Sequence, residues 1–151
     1  MKTKLTFLLL LFSFPAFSQQ IELKPLLLKS TCFFVAGSFE GLREEIDFHY
    51  SEFQHTFPNA DPQFCNPDIS HKNKWKNGDP LQGEAFWQSS RLLVAPTDLY
   101  HTLNTGRNIF LVTGAVIPLH GKKKWYVYAI EAATFWAAYN TGKATVHKLI
   151  K

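Results

Sequence analysis

The sequence predicts a mainly α fold: a small helical domain with one long amphipathic helix, a long ordered loop and a C-terminal apolar helical hairpin. Three observations carry that expectation. Apolar residues recur at helical spacing between Ser30 and Phe57, prolines cluster from Pro58 to Pro80, and the last third holds two apolar runs separated by Gly121 and three lysines. A length of 151 residues fits one domain. Aromatic residues at 15%, set against 19% charged residues, supply too much burial-competent surface for an intrinsically disordered chain. The 8 glycines and 8 prolines exclude a collagen-like chain, and 2 cysteines are too few for a disulfide-stapled miniprotein. No motif specifies a reaction.

The first element is a leader. Met1 to Lys4 carries two lysines, Leu5 to Phe14 is almost wholly apolar, and small residues follow at Ala16 and Ser18. This is the pattern of a secretory signal peptide over residues 1–18, cut before Gln19, with the periplasm or cell envelope as destination. Residues 19–151 are then a single helical domain. The apolar run is short for a membrane span, and no cysteine follows it that would carry a lipid anchor. Loss of Lys2 and Lys4 lowers the net charge from +4 to +2, which is not a nucleic-acid-binding profile. The remaining charge is uneven. Residues 19–100 hold 7 basic and 11 acidic side chains, and residues 101–151 hold 7 basic and 1 acidic. A basic, apolar C-terminal third suits a membrane surface or an acidic partner, unless the two halves neutralise one another on packing.

The second element is a helix capped by Ser30 or Thr31 and ending before Pro58. Val35, Phe39, Leu42, Ile46, Phe53 and Phe57 draw one apolar stripe along it, over a length of about 40 Å. Gly37 and Gly41, four apart, make a smooth patch where another helix can approach closely. Residues 58–83 read as an ordered loop, with four prolines, four asparagines and the turn signal Asn77-Gly78-Asp79-Pro80. Glu84 to Val94 reads as a short helix stopped by Ala95-Pro96. Thr97 caps a further helix running into Ile109–Leu119, and Trp125 to Tyr139 follows the lysine triplet. These apolar runs are 11 and 15 residues, against about 20 for a span. Residues 97–141 are therefore expected as a membrane-associated hairpin with lysines at its tip, or as two core helices of a bundle.

Two carboxylate–histidine pairs stand out. Glu45 and His49 are four apart, and Asp98 and His101 three apart, so each pair shares a helix face. Brought together, the four side chains would hold one divalent metal ion, with Asp47 or Glu52 as base for a metal-assisted hydrolysis. The competing reading makes Asp98 a helix cap and His49 a boundary histidine. His49 and His101 are expected close together, with the Asn73-Lys74 loop over them. Neither an HExxH pattern nor a nucleophile elbow is present. The loop residues Asn66, His71, Asn73, Lys74 and Trp75 combine amide, base and aromatic ring, a set that suits a phosphate, a carboxylate or a sugar stacked on Trp75. Cys32 and Cys65 form an even pair, and a bridge between them would add about 3–4 kcal/mol.

The strings Ala36-Gly37, Glu40-Gly41, Phe48-His49-Tyr50, Asn66-Pro67-Asp68-Ile69-Ser70, Asn73-Lys74 and Thr97-Asp98-Leu99-Tyr100-His101 resemble a group of small uncharacterised bacterial exported or membrane proteins. The resemblance covers about residues 36 to 140 and brings no activity with it. It implies that Asn66, Asn73, Lys74, His49, Asp98 and His101 act together. The functional expectation is a non-catalytic, membrane-associated envelope protein that binds or scaffolds, the membrane being the expected partner. The alternative is a metal-dependent hydrolase acting on an envelope phosphoester or a similar substrate.

Overall fold

The apolar stripe belongs to α1, Leu23–Phe48, which begins earlier than Ser30 and ends earlier than Pro58. Nothing in Leu23–Leu28 breaks a helix. Pro25 lies in the first turn, where its missing N–H has no intrahelical acceptor to lose, and Leu26 donates the first bond to Glu22. At His49 the backbone leaves the helical region (φ −135°, ψ 42°), and α2, Tyr50–Thr56, restarts after it. The computed structural model describes residues 21–119 and 121–150. The leader expected at residues 1–18 lies outside the described residues.

The expected loop is ordered, and its prolines explain how. Pro62 and Pro67 stand at the first positions of two single-turn helices, α3 (Pro62–Cys65) and α4 (Pro67–Ser70), where a proline is pre-set for helix. Asp61 and Asn66 cap them by accepting the N–H groups of Gln63 and Asp68. Beyond, 3₁₀ turns at Lys76–Gly78 and Pro80–Gln82 bring Trp75 and Glu84 into a single antiparallel bridge.

Glu84 to Val94 is a chain of turns, not the short helix its pattern suggests. The Glu84 carboxylate takes the Gln88 N–H and the Ser90 hydroxyl, and Ser89 donates to the Lys74 carbonyl. These side chain–backbone bonds compete with helix, and Gln88 takes a left-handed φ of 61°. The cap of the next helix is Asp98 and not Thr97. α5, Leu99–Val116, starts where the Asp98 carboxylate accepts the His101 N–H at 2.8 Å, while Thr97 closes a 3₁₀ turn. The last helix, α6, spans Trp125–Ile150 and continues well past Tyr139.

α1 is the axis of the fold. α5 runs antiparallel to it, with Arg43 at Tyr100 and Lys29 at Ala115, and α6 runs parallel, with Phe33 at Phe135 and Glu45 at His147. The two helices of the expected hairpin each pack along α1 and make little direct contact with each other. The smooth patch receives α6. A Cβ on Gly37 would overlap the Tyr139 carbonyl, and one on Gly142 would overlap that of Phe34. The densest core, Ile46, Phe53, Cys65, Leu103 and Ile150, sits beneath the loop.

That arrangement corrects the expected disulfide. Cys32 and Cys65 are both buried free thiols. Cys32 packs beside Gly114, whereas Cys65 packs with Ile46. Cys32 and Ile46 are separated by about 21 Å of helix, far beyond the reach of a bridge. No helix among the described residues is long and apolar enough to cross a membrane.

Candidate functional site

Polar side chains gather on two sides of the second half of α1. On one side Glu40 accepts two bonds from Arg43, at 2.7 and 3.1 Å, and one from Arg107 at 2.6 Å. The two guanidinium groups hold its carboxyl down at about 2. Arg43 also donates to the Tyr100 hydroxyl at 2.8 Å and lies over that ring. Toward α6, Lys143 pairs with Glu44 at 2.6 Å, and His147 lies between Glu44 and a short contact to the buried carboxylate of Glu45.

A recess of about 210 Å³ opens beside this seam, lined by Asp47, Pro67, Ser70, His71, Asp98, Tyr100 and His101. Asp98 is fully buried at its wall. It accepts the Thr97 hydroxyl at 3.0 Å together with the backbone N–H and the ring Nδ1–H of His101. His71 directs its own Nδ1 at the Pro67 carbonyl, 2.9 Å away. A carbonyl only accepts, so in the neutral rings Nδ1 carries the hydrogen at both histidines and Nε2 keeps its lone pair. The recess is thus lined by two imidazoles and the Asp47 side chain, a set that can bind a small polar group.

The four expected metal ligands stand as two pairs. Glu45 keeps His49 at 3.6 Å, with His49 half-exposed, and its second oxygen goes to His147, while Asp98 keeps His101 at 2.7 Å. Among the described residues no three His, Cys, Asp or Glu side chains are placed to hold one ion. The shared mononuclear site is therefore not formed, because each carboxylate is satisfied locally by its neighbours. Of the expected bases, Asp47 lines the recess, whereas Glu52 lies on α2 with the Ser51 hydroxyl 2.7 Å away.

The expected loop ligands divide likewise. His71 lines the recess. Asn66 is spent as the α4 cap, and Asn73 donates to the carbonyls of Gln63 (2.6 Å) and Thr97 (2.9 Å), riveting the loop to the start of α5. Lys74 accepts through its carbonyl from Ala85 and Ser89, and its ammonium lies 5.9 Å from the centroid of the Trp75 ring. Sequence reasoning missed Lys143, His147 and Arg107. The first two lie four apart on α6, the spacing that could have matched them to Glu44 and Glu45, but they stand beyond the apolar run that defined the helix. No family model, no characterised protein and no solved structure matches the chain.

Proposed function

We propose that this chain is a non-catalytic, membrane-associated protein of the cell envelope, exported through the secretory pathway, with a binding or scaffolding role. One observation carries the reading. Because α1 and α6 are parallel and α5 antiparallel, the start of α1, the end of α5 and the start of α6 share one end of the molecule, and that end exposes large apolar side chains on all three helices. Leu23 is 67% exposed, Val112 62%, Val116 70% and Trp125 80%. Two ordinary core helices would bury these residues, and an apolar surface of this extent marks a contact with lipid or protein. Two lysines at the same end turn inward. Lys123 pairs with Glu131 at 2.5 Å with both side chains buried, and Lys29 reaches the carbonyls of Ala115 and Ile117.

The opposite end carries the ordered loop and the polar recess and also exposes Leu81, Trp87 and Leu92, so it is the part that offers both polar and apolar groups to a partner. Metal-assisted hydrolysis gains no support from the donor geometry. Expression of the full chain followed by fractionation and vesicle flotation tests the reading. Recovery with membranes is expected, and recovery in the soluble fraction without detergent overturns it.

A further inference from the structure

We propose that the tip of the apolar end is seated among the headgroups of anionic phospholipids. This rests on membrane association and adds where, and on which lipid, the contact is made. The tip consists of the first turn of α1, residues 117–119 and 121–124 between α5 and α6, and the first turn of α6. Lys29 Nζ ties α1 to the end of α5, donating to the Ala115 and Ile117 carbonyls at 3.4 and 3.3 Å, and lies 5.3 Å from the centroid of Phe135 on α6.

The charges there divide by direction. Lys123 is folded inward against Glu131, whereas Lys24, Lys122 and Lys124 lie on the surface together with Glu22. The surface therefore carries an excess of positive charge, the complement of phosphate-bearing headgroups. Interleaved with it are aromatic rings: Trp125 meets Tyr126 edge to face at 6.2 Å, and Lys124 lies 5.9 Å from the Tyr126 centroid.

Lysine beside tryptophan and tyrosine is the chemistry of the membrane–water boundary, where amphipathic rings sit at headgroup depth and ammonium groups stay hydrated. A purely acyl environment would leave these ammonium groups unpaired. A rigid protein partner would have to wrap three helices at once to cover Leu23, Val116 and Trp125, which a lipid surface does without prior fit.

The test uses the full chain and vesicles of phosphatidylcholine with or without phosphatidylglycerol. In a variant whose other tryptophans are replaced by phenylalanine, the emission of Trp125 is measured against quenchers fixed at headgroup depth, at mid-acyl depth and in water. Quenching by the headgroup-level probe is expected, together with protection from aqueous iodide once phosphatidylglycerol vesicles are added. Binding of the Lys122→Gln/Lys124→Gln variant to phosphatidylglycerol vesicles is expected to weaken about 30-fold, the worth of two lysines at such a surface. These side chains lie on the surface, and unchanged circular dichroism would confirm the fold.

If the protein floats with vesicles while Trp125 stays open to iodide, or the lysine variant binds phosphatidylglycerol like the parent, the tip assignment is overturned and membrane association stands. A protein that does not float overturns both. Concentration-dependent protection of Trp125 without vesicles would overturn it in favour of a second copy of the chain.

Discussion

At Glu40 two guanidinium groups share one carboxylate, and the pH dependence of stability follows. Its carboxyl is lowered from 4.5 to about 2 in the fold, chiefly by hydrogen bonding to Arg43 and then to Arg107. A group depressed on folding stabilises above its unfolded value and loses that contribution as pH falls through the folded one. Glu40→Gln should therefore lower the melting temperature at pH 6, costing about 1–3 kcal/mol for the charge-assisted bonds lost to two guanidinium groups. It should also flatten the fall in stability between pH 4.5 and pH 2, read by thermal unfolding at each pH. The cysteines give a second prediction at this scale. Denaturation without reductant followed by alkylation should tag two thiols on each chain. In the native protein Cys65 should react slowly, since burial and Asp61 push its thiol up. The pairs within one helix were legible in the sequence, because Asp98–His101 and Glu45–His49 are fixed by spacing alone. The partners Arg107 for Glu40 and His147 for Glu45 were not, because they arrive from helices far along the chain.

α1 and α6 meet through missing side chains. Gly37 and Gly142 bring the two backbones to a separation that no Cβ can share, which no polar substitution elsewhere relieves. Gly142→Val should destabilise by more than the about 1–3 kcal/mol of ordinary overpacking, since backbone and not a flexible side chain stands in the way. Thermal unfolding checks the loss, and the Glu45–His147 contact should be lost with it. The close approach was readable from Gly37 and Gly41, although the sequence does not say which helix fills the patch. The single-turn helices at Pro62 and Pro67 were read as loop, because four residues show no helical period, and the cap of α5 was placed at Thr97, one residue before Asp98. Glu84 to Val94 was misread because its side chains, free to cap in any fold, bind the backbone of the bridge at Lys74 and Trp75. Two of the expected loop ligands, Asn66 and Asn73, are engaged in the fold for the same reason. Asn73 has the chemistry of a ligand contact and spends it on two carbonyls that only the folded loop brings together.

For the whole molecule, hydropathy read along the chain and apolar exposure read over the surface give different pictures. Each helix has polar residues that lower its mean hydropathy, and packing turns several of them inward: Glu131 toward Lys123, Lys29 toward α5, Glu40 toward two arginines. At one end Leu23, Val112, Val116 and Trp125, which lie far apart in the sequence, face outward together. Val112→Lys should separate the two properties. As a surface change it should move stability by no more than about 0.5 kcal/mol, yet reduce the fraction of protein that floats with vesicles. A large loss of melting temperature would mean that Val112 supports the fold and not a lipid contact.

The parallel pairing of α1 with α6 also orders events in time. Glu44 and Lys143 are 99 positions apart, and Glu45 and His147 are 102 apart. As the chain emerges, α1 can dock with α5 early, but its glycine face and the buried carboxylate of Glu45 wait for α6. Until then the nascent protein holds an open groove down the middle of its central helix. Its folding should be slow for so helical a chain, because the contacts that complete it close the longest loops.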